Sequence, residues 1–243
     1  MTTSSCDFEK CEAIKEKLKY IREKIANAAA SSGRSENDVR LMAVTKTVDP
    51  VYINYSIDEC GVDLIGENKV QEFLSKKDSL HLNGVTKHLI GHLQTNKVNK
   101  IVTEVDMIQS VDSLHLAKEI SKRAGEAGIT ANVLLEINIG GEESKTGYDK
   151  KTLLSELSEL SVLSALKVNG IMIIPPICES EKELSKYFFE ASETFSEIKE
   201  KSLTNFDMKI LSMGMSGDYE LAVKYGSNMV RIGSAIYGAR IYK

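Results

Sequence analysis

A lysine placed just after an apolar run is suited to aldehyde chemistry, and Lys46 follows RLMAV and Thr45 in the segment RLMAVTKTVDP. Desolvation at the end of a strand favours the neutral amine, which attacks an aldehyde to form a Schiff base. The competing reading is a surface lysine ahead of a helix opened by Asp49-Pro50. Asn68, after VDLIGE, is able to hydrogen-bond a ligand or to cap the helix of NKVQEFLSKK. Two later segments, LSMGMSGDYELA and MVRIGSAIYGAR, each run from apolar residues into small and hydroxyl ones, at Ser216-Gly217 and at Gly233-Ser234. If a helix starts at each, free N–H groups and helix dipoles converge on a phosphate, and glycine permits close approach; otherwise these are turn glycines and N-cap serines with nothing bound. Arg231 lies two residues before Gly233 among apolar neighbours. It stays charged when buried, so it needs either a carboxylate or a ligand acceptor. An aldehyde-reactive lysine, a phosphate cradle and an arginine at one mouth share a single ligand, pyridoxal 5′-phosphate, with Lys46 at C4′, the two loops at the phosphate and Arg231 at the ring nitrogen.

Other candidates carry less. His88 and His92 are four apart, but the intervening Leu-Ile-Gly lacks the glutamate of a zinc-protease helix and the segment begins as a strand, so no metal site is expected. The polar stretch Gly140 to Gly147 reads as a lid or a surface turn. Tyr148, just beyond it, is the nearest spare base, or a residue packed at a helix start.

The elements that position these residues follow from periodicity. Ile14, Leu18, Ile21 and Ile25 recur at helical spacing and predict an amphipathic helix ending before Ser31-Ser32-Gly33. From residue 40 onward, eight apolar runs (RLMAV, VDLI, HLI, DMIQ, NVLLEINI, KVNGIMII, MKIL and MVRI) alternate with helical segments. Eight β/α alternations predict a (β/α)8 TIM barrel with an extra N-terminal helix, whose working groups lie past the carboxyl ends of the strands. A doubly wound open sheet is disfavoured because no Gly-x-Gly-x-x-Gly follows the first strand. Pro175-Pro176 closes the sixth strand. No linker or low-complexity tract divides the chain, so residues 1–243 are expected to form a single barrel domain with about the first eight residues flexible.

Six segments, AVTKT (43–47), GENKVQE (66–72), HLIGHLQTNK (88–97), EINIGGEESKTG (136–147), LSMGMSGD (211–218) and MVRIGSAIYGAR (229–240), resemble the pyridoxal phosphate homeostasis protein family, in order and over nearly the whole chain. The resemblance implies an alanine racemase-type barrel that holds the cofactor as a lysine aldimine and acts as its carrier or regulator in vitamin B6 homeostasis. It makes Lys46 the aldimine lysine and Asn68 a polar neighbour of the cofactor. It also implies that Ser216, Gly233 and Ser234 hold the phosphate and that Arg231 faces the pyridine nitrogen. Ser234 stands where threonine is frequent and Gly217 where aspartate is frequent; IMIIPPICE departs from the usual small-residue strand end, so Met172 and Ile173 are not carried over as contacts.

Composition narrows the rest. With 42% hydrophobic and 27% charged residues, the 243-residue chain is of ordinary globular type, and 31 basic against 35 acidic residues leave a net charge of −4. No nucleic-acid or membrane partner follows from that balance. Cys6, Cys11, Cys60 and Cys178 make no disulfide framework, and the N-terminus lacks an apolar signal region, so a cytoplasmic address is expected; the chain is expected to be a monomer. Two functions compete: a non-catalytic carrier that passes pyridoxal phosphate to apo-enzymes, and an amino-acid racemase of the same barrel type. The racemase needs a second acid/base, ordinarily from an additional β domain, and with three residues after Arg240 no such domain is expected. A sugar-phosphate isomerase would use the phosphate loops and leave Lys46 without a role.

Overall fold

The computed structural model describes residues 7–142 and 145–238. In chain order the helices and strands are α1 (Phe8–Ser31), β1 (Arg40–Val44), α2 (Pro50–Asp58), β2 (Leu64–Glu67), α3 (Val70–Lys76), β3 (Thr86–Leu89), α4 (Val98–Ile101), β4 (Met107–Val111), α5 (Leu114–Glu126), β5 (Ala131–Ile137), α6 (Lys150–Leu160), β6 (Leu166–Ile173), α7 (Glu181–Glu200), β7 (Phe206–Ser212), α8 (Tyr219–Lys224), β8 (Met229–Ile232) and α9 (Ser234–Tyr237). The eight strands pair in sequence order, all parallel, and β1 closes on β8 through the register Met42 to Arg231. Each predicted apolar run lies in or overlaps one of them.

Helix starts follow local chemistry. Asp49 accepts from the Val51 amide with Pro50 at the first helical position, and Ser113, Asp149 and Ser180 cap α5, α6 and α7 in the same way. Asp7 caps α1 and Phe8 begins it, while residues 1–6, most of the stretch expected to be flexible, lie outside the described part. Cys11 is disulfide-bonded, and Cys60 and Cys178 are free thiols.

The extra helix is part of the barrel wall. As described, α9 is a single turn, and α1 lays Ile14, Leu18, Ile21 and Ile25 against Val230 and Ile232 of β8, Ala43 of β1 and the inner faces of α2 and α8. It thereby covers outward strand residues that would otherwise meet water.

Inside the barrel, side chains stack in layers because alternate residues of each strand point inward. The lower layers hold Met42, Leu64, Met107, Leu134, Met172, Ile210 and Met229, apolar and rich in the adaptable methionine side chain. Two residues further along, the interior turns polar, with Gln109, Glu136, Ser212 and Arg231, all buried. One more step brings Lys46, Asn68 and Gly233 to the carboxyl-end mouth. Where β6 bulges against both neighbours, Gly170 sits with φ +153°, and a Cβ there would lie 1.8 Å from the Ile210 carbonyl oxygen. Among the described residues no helix is long and apolar enough to cross a membrane, and no group of three or more His, Cys, Asp and Glu side chains is placed to hold a metal.

Candidate functional site

A cavity of about 520 Å³ opens at the carboxyl end of the barrel, and Lys46, Asn68, Ser216, Arg231, Gly233 and Ser234 all line it. Lys46 continues the inward parity of Met42 and Val44 and is half-buried at the rim, not a surface lysine ahead of α2. Asn68 does not cap α3: Lys69 holds that position without a side-chain bond, and the Asn68 Oδ1 is buried with no hydrogen-bond partner among the described residues. Gly91 lets the chain after β3 pass close to it, since a Cβ at residue 91 would stand 2.3 Å from the Asn68 carbonyl oxygen.

The two glycine-serine loops do meet, with a different division of labour from the one expected. Ser216-Gly217-Asp218 form a turn and α8 begins only at Tyr219, so Ser216 and Gly217 do not open that helix. The Asp218 carboxylate accepts from the Met215 amide and shapes the turn. Ser216 Oγ instead reaches across to the start of α9, accepting from the amides of Gly233 at 3.3 Å and Ala235 at 3.2 Å. The amides of Ser216, Gly217 and Ser234 make no hydrogen bond to the described residues. With α8 of six residues and α9 of four, the macrodipoles are short, so these individual N–H groups matter more than any helix dipole. A Cβ at Gly217 would meet nothing within 4 Å, whereas one at Gly233 would lie 3.3 Å from Val44.

Arg231 is 4% exposed, and among the described residues no carboxylate lies within ion-pairing distance of it. Its guanidinium donates to Ser212 Oγ at 2.7 Å and to the Ile173 carbonyl at 2.8 Å and otherwise borders the cavity. Burial lowers its pKa to about 10, against the pull of the Asp218 and Glu136 carboxylates. From Arg231 a one-way chain of donors crosses the interior: Ser212 Oγ donates to Gln109 Oε1 at 2.8 Å, and Gln109 Nε2 donates to His88 Nδ1 at 2.8 Å. Burial holds His88 neutral, with its pKa lowered to about 3. Glu136, also inward, accepts from Thr146 Oγ1 at 3.0 Å while its other carboxylate oxygen has no partner among the described residues; burial raises its pKa.

The sequence reading missed Gln109 and Ser212, although each is a polar residue two positions beyond an inward apolar one. It also left out Ile173, whose carbonyl holds Arg231, and Ile174, Ile90, Lys10 and Tyr237, which line the cavity. His88 and His92 do not converge: His92 pairs with Asp112 at 3.1 Å at the surface. Tyr148 is packed in the layer between barrel and helices, where burial followed by the Glu156 carboxylate raises its pKa, and it does not line the cavity. In the loop from Gly140 to Gly147, Glu143 and Ser144 lie outside the described residues, and Lys145 reaches the Pro175 carbonyl at 3.3 Å.

Residues 9–241 match the family model described as alanine racemase, N-terminal domain. A pyridoxal phosphate homeostasis protein of Aquifex aeolicus is 41% identical to the chain, over 93% of its length and 98% of the relative's. The crystal structure of an unknown protein from Bifidobacterium adolescentis is 37% identical with a TM-score of 0.90, covering 95% of this chain and 96% of that one. PipY of Synechococcus elongatus, solved with PLP bound, is 34% identical with a TM-score of 0.78, covering 88% of this chain and 100% of its own.

Proposed function

This chain belongs to the pyridoxal phosphate homeostasis protein family, and from that premise we propose that it binds pyridoxal 5′-phosphate at the barrel mouth and holds it without turnover, as a carrier in vitamin B6 homeostasis. The observation that carries the reading is that an amine, a buried guanidinium and three amides border one cavity, the guanidinium without a carboxylate and the amides without acceptors among the described residues.

The residues present fit the cofactor. The buried, unpartnered Asn68 Oδ1 and the open amides of Ser216, Gly217 and Ser234 are polar groups awaiting a ligand. When bound, the cofactor supplies an aldehyde that an amine captures and a pyridine ring that withdraws electrons. In this reading Lys46 provides the amine. The amides of Ser216, Gly217 and Ser234, with the Ser234 hydroxyl, hold the phosphate, each charge-assisted bond contributing roughly 1.5–3 kcal/mol. The Gly233 amide is already given to Ser216, so Gly233 serves by close approach alone. Arg231 faces the ring nitrogen and, as a fixed cation, disfavours its protonation. Val44, Ile90 and Ile174 keep water from the ring.

Holding without turnover agrees with the proton-exchanging groups at the cavity. Asp49 is engaged as the cap of α2, Lys10 stacks on the Tyr52 ring, and the Tyr237 hydroxyl is tied to Ser56 with its pKa raised to about 12 by burial. The racemase reading rests on the matched family model, and Tyr148, its candidate base, is packed away from the cavity. We place the protein in the cytoplasm as a monomer that hands its cofactor to apo-enzymes.

Borohydride reduction of the loaded protein is expected to fix the cofactor on Lys46, located by peptide mapping; a label on another lysine rejects the assignment. In deuterated water with L-alanine, α-proton exchange is expected to stay at the level of a Lys46→Ala control. A positioned acid/base adds typically ~10²–10⁴-fold, so Lys46-dependent exchange beyond stoichiometry would establish the enzyme instead.

A further inference from the structure

Behind the mouth, outside the barrel wall, a buried ion cluster grips the chain on both sides of Lys46. The Lys76 ammonium, at the end of α3 and 8% exposed, pairs with Glu67 at 2.5 Å and Glu72 at 3.0 Å and donates to the Thr45 carbonyl at 2.8 Å. Its three N–H donors thus match three acceptors. The Glu72 oxygen that meets Lys76 also accepts from the Thr47 amide at 2.5 Å. Glu67 accepts from the Thr45 hydroxyl and from the Asn68 amide, each at 3.1 Å. The residue before Lys46 is therefore held by its carbonyl, the residue after it by its amide, and Asn68 by the same cluster.

We propose that Lys76, Glu67 and Glu72 are positioning residues for Lys46, fixing the backbone from which its amine is presented to an aldehyde. The inference rests on the reading of Lys46 as the capturing amine.

Backbone conformation points the same way. Thr47 has φ +61°, a left-handed geometry that a β-branched residue adopts only when its surroundings impose it. The tether from Glu72 lies on the amide of that residue, where the chain leaves β1 and turns toward α2. Held there, Lys46 keeps the inward parity of Met42 and Val44. A buried ion cluster adds little net stability over apolar packing, and its better-attested use is to specify one geometry. Capture of an aldehyde depends on such geometry, because reacting atoms must be held near contact distance.

The test separates capture from binding. Pyridoxal 5′-phosphate and pyridoxine 5′-phosphate share ring and phosphate, but the second carries an alcohol in place of the aldehyde and cannot be captured. For Glu72→Ala we expect affinity for the aldehyde ligand and its capture rate to fall by about tenfold or more, with affinity for the alcohol ligand within about twofold of the native chain. Glu72→Gln, whose amide oxygen still accepts from Thr47, should restore both. Glu72 is partly exposed and Lys76 retains Glu67 in the alanine variant, so the fold is expected to survive; should it melt early, Glu72→Asp, which keeps the charge but is one methylene short of the Thr47 amide, should show the same split. A parallel fall for both ligands, or no change for either, overturns the positioning role. Reductive labelling of a lysine other than Lys46 in the native chain removes the underlying reading, a distinct result seen before any variant is made.

Discussion

Every donor between Arg231 and His88 points the same way, from guanidinium to serine to glutamine to imidazole. The charge at one end orders the rest: Arg231 can only donate, so Ser212 turns its own proton to Gln109, and Gln109 presents its NH₂ to a histidine that must be unprotonated at Nδ1. Protonating His88 would reverse the last bond and place a second cation in the same interior. With a folded pKa of about 3 against an unfolded value of 6.5, the unfolded chain binds the extra proton first as pH falls. The resulting stability is therefore fully present above pH 6.5 and is lost between 6.5 and about 3, at up to ~1.4 kcal/mol per pH unit. His88→Gln still accepts from Gln109 and does not titrate, so its denaturant-unfolding free energy should fall less steeply with acid than that of the native chain. Equal slopes for the two proteins would show that His88 does not carry this dependence.

At the scale of elements, the mouth depends on close approaches that admit no side chain. Gly91 is the sharpest, with the Asn68 carbonyl where its Cβ would be. Gly91→Ala must push the end of β3 away from that of β2, and overpacking of this kind costs typically ~1–3 kcal/mol. Because Asn68 moves with the displaced backbone, cofactor affinity should fall along with the melting midpoint; an unaltered midpoint would mean that the strands separate without strain. Ser216 illustrates a related point. As an element-level device its hydroxyl joins the loop after β7 to the first turn of α9, so both halves of the proposed phosphate site are set by one side chain.

For the whole molecule, the proposed site couples ligand to fold, because its walls come from both ends of the described chain, Lys10 and Gly238 included. A ligand at about 100 times its dissociation constant stabilises the native state by ~2.7 kcal/mol. In a chain of this size each kcal/mol moves the midpoint by about 2–4 °C, so saturation with pyridoxal 5′-phosphate should raise it by roughly 5–11 °C. Pyridoxal at the same concentration lacks the phosphate and should give a far smaller rise. Equal shifts would remove the two loops from the binding argument.

Sequence by itself determined the eight-fold alternation, because burial on a strand repeats every two residues and on a helix every 3.6, and both periods are visible without neighbours. It also placed Lys46, Ser216, Gly233 and Ser234 just past strand ends and Arg231 close before one, whereas Asn68 joined them only through the family resemblance; all six line one cavity. Partners were decided only by the closed barrel. Nothing local says that Arg231 meets Ser212 and the Ile173 carbonyl in place of a carboxylate, or that Ser216 serves α9 when its own chain runs on into α8. Nor does the motif GENKVQE reveal that Glu72 and, four residues on, Lys76 hold Thr45 and Thr47. Such contacts join residues that lie tens of positions apart, and their geometry exists only after barrel closure sets the register of one strand against the next.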